Sequence, residues 1–581
     1  MDTTAPFIKG CDMNSVLEEV GDNGRYQRLL YWFYVVPINF FIPWVPLAVI
    51  FMTSTPDHWC HVPGRPDHVP LEEWKALTIP REKDGAYSSC QQYNVTAGDV
   101  LPLLQEPSSP ELMIATFGVT ECRRLWEYDR TYYDSTLSTQ QHWVCEQASM
   151  AATWQSVGVA GNVVGTVVFN SLSDLIGRLP VLAMTVAVFA VFGLVRLYVT
   201  SLAAIMITTF LASTSFPSML ELALIIVVEQ VSPGWRTRIT STSFIFWTGG
   251  MCLLPLLAWA TRDWQLLGLI TTLPFFIIFI GHWVLPESPR WLLSRNRLDR
   301  CSKVLENIAA KNGRKVPESL QETLQAIVAT QRSETNYGAV QLFKYRVMAI
   351  RTLLLTACFT CYNLFYYGLT YNMANVSGNE FLNFFLLSIV ELPSNLLGWF
   401  SAQNLGRRWT AAGAAILAGV CAFATAFLQD ESPWIPLMAL MVSKMFITIS
   451  FLVVYVQCAE VYPTTHRAAG TGLTSIISSC FGITAPYIAY LAVFGAWVPY
   501  IILFMIGLVG FLAASLLPET LNTDLPQSLF DANTFLTSEK YWSYKGRRCC
   551  AATTTSNRSN KSKAEGHDNV GSDALASLDK C

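Results

Sequence analysis

The chain has 581 residues, of which 52% are hydrophobic and 14% charged, and its net charge is −3. Soluble proteins carry roughly 25% charged residues, so a water-soluble globule of this length is excluded, and the near-neutral balance argues against a nucleic-acid partner. The composition calls for a lipid bilayer as solvent.

A spanning helix needs about 20 mostly apolar residues. The stretch 1–29 holds Asp12, Glu18, Glu19, Asp22, Arg25 and Arg28. It is too acidic for the n-region of a signal peptide, so it reads as a cytoplasmic N-terminus followed by a retained helix. Twelve spans are predicted, at 30–52, 149–171, 179–199, 202–228, 239–261, 265–285, 350–372, 381–403, 409–428, 433–456, 470–493 and 496–517. The chain thus divides into a first six-helix half (30–285) with a long loop (53–148), a central loop (286–349), a second half (350–517) and a tail (518–581). Beyond 535 the tail is polar and poor in aliphatic residues, which predicts disorder. Orientation follows Lys and Arg in the short loops. Arg178, Arg236, Arg238, Arg407, Arg408, Arg467 and the basic central loop fall on one side. The reading is a multi-pass plasma-membrane protein with both termini cytoplasmic.

The loop 53–148 then lies outside, with Cys60, Cys90, Cys122 and Cys145. Four cysteines in an oxidising compartment predict two disulfides, with three pairings open. The sequon at Asn94 shares this loop, and a second, at Asn375, lies nearer the membrane. His61 and His68 read as solvated loop histidines, and no metal site is expected. Cys549-Cys550 in the tail lacks the adjacent helix expected of a lipid attachment site.

Three patterns occur twice. Gly177-Arg178 and Gly406-Arg407, Glu229 and Glu460, and Pro286 of LPESP and Pro518 of LPETL stand 229, 231 and 232 residues apart. The chain is therefore two parallel six-helix halves, the plan of a rocking transporter with its site between them. Glycine permits a tight turn, and arginine offers a fork to carboxylates. Asp174, Arg178, Glu229 and Arg238 in the first half, Glu287 and Arg290 just after it, and Arg407, Arg408, Glu460 and Arg467 in the second, are candidate cytoplasmic latches. The bland alternative is that they anchor helix ends at lipid headgroups. Gln403 stands where Asp174 stands, so the second cluster has one charge fewer.

These segments together resemble the organic cation, anion and zwitterion transporters of the major facilitator superfamily. The resemblance runs from CDMNSVLEEVGDNGRYQ to LPET and rests on STPDHWC, WEYDRTYYDSTLSTQQHWVC, PESPRWLLSRNR, YYGLTYN, VELP and AEVYPTTHRAAGTG. It implies an all-α membrane protein of twelve helices with a disulfide-bearing extracellular loop. Sugar porters share the Gly-Arg and PES turns but lack that loop. The family often carries six loop cysteines; here there are four.

A charge inside a span costs about 2.5–3.5 kcal/mol on insertion scales, so such residues are functional candidates. Glu221 in the fourth span has Thr209, Ser213 and Pro217 on the same face. It suits an ammonium substrate. Glu391 in the eighth span and Lys444 in the tenth match an acid and a basic position of the family, and a pairing of Lys444 with an acid is the plainer reading. Phe359, Tyr362, Tyr366 and Tyr367 crowd the seventh span, and Phe244 and Trp247 lie in the fifth. Rings of this kind hold ammonium ions, and the resemblance points to Tyr366 in particular. Where cation carriers of the family have an acid in the eleventh span, and anion and carnitine carriers an arginine, this chain has Ser479.

The reading is therefore alternating-access transport of small organic cations or zwitterions, such as carnitine-like or amino-acid-derived solutes. It needs no enzyme chemistry and no cofactor, with Na+ or H+ as candidate coupling ions and no oligomeric state set by the sequence. The alternatives are a receptor-like member that binds without transport, and a sugar porter.

Overall fold

The computed structural model describes residues 13–534 apart from 23, 83–84, 97, 101–112, 114–115, 123–124, 283–284, 317–318, 332–338, 430–431, 464–465, 522, 524–525 and 527–528. The tail 535–581, with its expected disorder and Cys549-Cys550, lies outside the described residues.

Apolar length dictates the architecture. Among the described residues twelve helices are long and apolar enough to cross a membrane: Arg25–Met52, Cys145–Ile176, Arg178–Val195, Leu202–Val228, Arg238–Thr261, Trp264–Gly281, Arg346–Asn375, Glu380–Leu405, Arg407–Thr425, Trp434–Val461, Ala469–Phe494 and Val498–Ser515. They are numbered spans 1 to 12 below. Each half has its own buried core, one built around Val181, Val186, Phe189 and Phe275 and the other around Phe365, Ala411, Ala415 and Val454. The second core is rich in alanine because spans 9, 10 and 12 approach closely; a Cβ on Gly507 would stand 3.1 Å from the Ala415 carbonyl. Between the halves the chain forms short amphipathic helices, Leu298–Asn312 among them, which pack under the first half.

Several spans are broken where proline and small polar residues interrupt them. Span 4 is Leu202–Ser213 and Phe216–Val228, with Pro217 just after the break. Span 8 is Glu380–Ile389 and Glu391–Leu405, with Pro393 following. Span 11 breaks between Gly482 and Ala485. Backbone groups freed inside a bilayer need internal partners; Ser156 Oγ of span 2 donates to the freed Ile483 carbonyl at 2.8 Å.

The long loop between spans 1 and 2 is stapled by Cys60–Cys122 and Cys90–Cys145. His58–Cys60 pairs antiparallel with Trp126–Tyr128, and Gln91–Tyr93 with Val119–Glu121. Loop-closure entropy across separations of 62 and 55 residues makes each bridge worth about 4 kcal/mol in the chain-entropy model. His61 is not simply solvated, since its Nδ1 lies 2.6 Å from Glu127 Oε1. The end of the bundle bearing this loop is called the loop face, and the end bearing the Gly-Arg turns the arginine face.

Candidate functional site

At the arginine face the repeated motifs assemble in the same way twice. Gly177 and Gly406 adopt φ of +123° and +95°, and a Cβ there would stand 2.2 and 2.3 Å from carboxylate oxygens of Glu287 and Glu519. Those carboxylates cap the helices that follow. Glu287 accepts from the Arg178 and Leu179 amides at 3.1 and 3.2 Å, and Glu519 from the Arg407 and Arg408 amides at 2.8 and 3.1 Å. An acid at a helix start meets the positive end of the dipole and satisfies orphan N–H groups. Burial pushes the Glu287 carboxyl up, against the lowering pull of those amides and of Arg178. The LPES and LPET turns thus each supply a cap to a helix more than a hundred residues earlier.

Arg178 pairs with Asp174 at 3.0 Å and with Glu229 at 3.7 Å, and its Nη1 donates to the Ser173 carbonyl at 3.0 Å. Arg407 pairs with Glu460 at 3.2 Å and donates to the Ala402 carbonyl at 3.1 Å. Ser288 donates to Glu229, and Thr520 to Glu460. Arg408 turns instead to the Ser515 carbonyl. Arg290 binds the Glu229 carbonyl and Asn14. Arg238 lies over the Trp235 ring at 4.8 Å, on a cleft of ≈ 390 Å³ beside Arg28 and Tyr31. Arg467 is half-buried at the start of its helix. The two arginine–glutamate pairs each tie helix ends within one half.

At the loop face, contacts join the halves. Ser54 Oγ donates to Glu380 at 3.0 Å, Thr153 and Tyr487 share a hydrogen bond of 3.0 Å, and the rings of Phe51 and Phe381 stack at 5.6 Å. Deeper along the seam, span 7 meets span 5: the Tyr366 hydroxyl lies 3.9 Å from Met251 Sδ. The same hydroxyl donates to Glu391 Oε1 at 2.5 Å. Lys444 Nζ is 3.2 Å from that oxygen, donates to Thr370 Oγ1 at 2.8 Å, and sits 3.2 Å above the Tyr366 ring. Glu391 and Lys444 are 4% and 1% exposed, so each neutralises the other away from water.

Glu221 has other surroundings. It lies in the inner segment of span 4 and is exposed. Its Oε2 accepts from Asn170 Nδ2 at 2.7 Å. Spans 2 and 4 touch backbone to backbone, for a Cβ on Gly165 would stand 1.7 Å from the Thr214 carbonyl, and that closeness brings Asn170 to the acid. Tyr455, 46% exposed on span 10, is within electrostatic reach of Glu221 from the other half. Glu221 therefore faces the cleft between the halves. From Tyr455 the rings run through Phe451 at 5.5 Å to Tyr366 at 6.1 Å, which links the two acids.

The aromatic residues singled out in the sequence separate in space. Phe359 backs the Tyr455 ring at 4.7 Å, and Tyr367 stands 5.3 Å from Tyr366. Trp247 is half-buried and lies 6.3 Å from Phe216, and Phe244 is 48% exposed. Tyr362 points away from the seam, its hydroxyl toward the Ala411 and Gly510 carbonyls inside the second half. Ser479 is half-buried, whereas its neighbour Ser478 carries the hydrogen bonds, from Asn363 at 2.9 Å and to Phe359 at 3.2 Å. Asn94 is exposed; Asn375 is exposed too, but its amide donates to Asn372 and Ala489 at 2.9 Å each. His58 lies beside Cys90 and Cys145, whose sulfurs are joined to each other and so offer no thiolate to a metal.

Sequence reasoning missed Asn170, Tyr455 and Glu519. Asn170 is a polar side chain within a span and so was open to the rule that flagged Glu221. Glu519 was marked by the repeat of Glu287.

The model of the family described as "Sugar (and other) transporter" matches residues 125–528. A carcinine transporter of Drosophila melanogaster is 32% identical over 558 residues, 93% of this chain and 81% of that protein. A β-alanine transporter of the same organism is 31% identical, covering 89% and 88%. Solute carrier family 22 member 7 of Rattus norvegicus is 31% identical, covering 90% and 99%. Among solved structures, the xylose transporter XylE of E. coli in an inward-open conformation matches 67% of this chain and 90% of its own, with a TM-score of 0.52 and 13% identity, a likeness of fold alone.

Proposed function

This chain belongs to the sugar (and other) transporter family of the major facilitator superfamily, among its organic cation, anion and zwitterion transporters, and from that premise we propose that it carries small amine-bearing cations or zwitterions across the plasma membrane by alternating access. The observation that carries this reading is Glu221, a carboxylate inside a span, exposed on the cleft between the halves and partnered by the neutral amide of Asn170. An ammonium ion gains from such a charge and from the face of Tyr455, within electrostatic reach of it. The resemblance to carriers named for carcinine and β-alanine supports the same chemistry. The arginine face with both termini lies in the cytoplasm, and the stapled loop lies outside with Asn94 available for glycosylation. Glu221 receives the ammonium group. Tyr366, Tyr367, Trp247, Phe244 and Ser479 border its route, and Glu391 and Lys444 mark the outer end. The pairs Arg178–Glu229 and Arg407–Glu460 hold the helix ends of each half rigid while the halves rock. An ion gradient of Na+ or H+, or the membrane potential, supplies the drive without a bound cofactor.

The test is uptake of a labelled panel by cells that express the chain at their surface: an organic cation, carnitine, a small amino-acid zwitterion, an organic anion and a hexose. Saturable uptake of the amines without the anion or hexose is expected. Hexose uptake would mark a sugar porter, and saturable binding without accumulation a receptor; either outcome overturns the proposal.

A further inference from the structure

Lys444 occupies the kind of place an amine substrate needs. Its ammonium is 3.2 Å from a Glu391 oxygen, 3.2 Å above the Tyr366 ring and 2.8 Å from the Thr370 hydroxyl. A carboxylate, an aromatic face and a hydroxyl oxygen are the groups with which a protein holds an ammonium ion away from water. The place is not remote from the cleft. The Tyr366 hydroxyl lies 3.9 Å from Met251 Sδ of the other half, and its ring leads through Phe451 to Tyr455, within electrostatic reach of Glu221. Glu391 opens the second segment of a broken helix, so the positive end of that segment also steadies its charge. Both charges are buried, and a buried pair tolerates an exchange of partner far better than the loss of one.

We infer that Lys444 is a tethered competitor for a second ammonium place, against Glu391 and Tyr366 on the route from Glu221, and thereby selects zwitterions over simple amines. A substrate ammonium that replaces Lys444 against Glu391 and Tyr366 leaves the lysine charge without a partner. A carboxylate on the same small substrate supplies one. A simple amine strands Lys444 and a simple carboxylate strands Glu391, whereas an amino acid strands neither. The inference rests on the amine-transport reading above and narrows it to solutes that bear both groups.

The test compares uptake of labelled β-alanine with that of its amide, β-alaninamide, which lacks only the negative charge. Full-length protein is used, with uptake normalised to surface density. The wild type is expected to favour β-alanine. Lys444→Met is expected to lower β-alanine uptake by about tenfold or more relative to the amide. Because Lys444→Met leaves Glu391 alone in the interior, the double variant Lys444→Met with Glu391→Gln, which removes both charges, is measured beside it and is expected to take the two probes at about the same rate. A merely structural pair would depress both probes together and keep the wild-type ratio, which overturns the inference, as does a wild type that favours the amide. A wild type that accumulates neither probe overturns the transport reading itself, and this inference with it.

Discussion

Glu221 and Glu391 both lie inside broken spans, one in each half, and are kept in opposite ways. Glu391 is buried against Lys444 and Tyr366, so its charge is already answered within the protein. Glu221 is exposed on the cleft with the Asn170 amide, and Tyr455 lies within electrostatic reach across the seam. The same residue type in the same kind of helix thus does two jobs. An acid with a resident lysine holds helices together and yields only to a partner that replaces the lysine. An acid with a neutral partner keeps its charge for a guest.

The comparison breaks most visibly at Glu391. Glu391→Gln leaves the Lys444 charge uncompensated in the interior, which is expected to cost about 3–5 kcal/mol. Surface expression and the thermal midpoint of the detergent-solubilised protein report that loss, and an unchanged midpoint would put Glu391 in the same class as Glu221. Asn170→Ala removes the hydrogen bond that orients Glu221 and is expected to raise the KM for amines by about tenfold, from a charge-assisted bond worth about 1.5–3 kcal/mol, while surface expression holds. Tyr455→Leu takes one aromatic face from the cleft and is expected to weaken amine uptake by about threefold to tenfold, from a contact of about 0.5–1 kcal/mol or somewhat more; Tyr455→Phe keeps the face and most of the uptake. The smallest change marks the floor. Asp174→Gln gives the first arginine turn the residue found in the second. Because the Asp174 side chain is 72% exposed, the ion pair it loses is worth less than about 1 kcal/mol, so uptake and thermal midpoint stay near wild type.

The sequence made the spans and the repeat legible because apolar length and recurrence are local properties of a string. The twelve helices fall where the apolar runs fall, although span 1 begins at Arg25 and carries a π-helical turn over Tyr31–Val35 that no periodicity announces. The doubled LPE turn was legible as a repeat but not as a cap, since its carboxylate acts on a helix 109 residues away in sequence. The disulfide partners were open for the same reason: four cysteines fit three pairings, and only the folded loop joins Cys60 to Cys122 and Cys90 to Cys145. Within the site, Glu221 and Tyr366 announced themselves as polar groups in oil. Tyr362 did so equally, yet it packs within its own half. A helix enclosed on all sides has no apolar stripe to orient it, so spacing alone could not separate Tyr362 from Tyr366. The partners of Glu391 and Glu221 stand on other helices, and only the packing of those helices selects them.

Saturable accumulation of a labelled small amine by wild type and by Glu221→Gln, at matched surface density, tests the central claim most directly. The account predicts that the wild type accumulates the amine and that the variant, folded and present at the surface, loses about tenfold to a hundredfold in kcat/KM, the worth of one charged contact. Uptake by the variant equal to that of the wild type for every accepted amine would contradict it and remove Glu221 from the transport path.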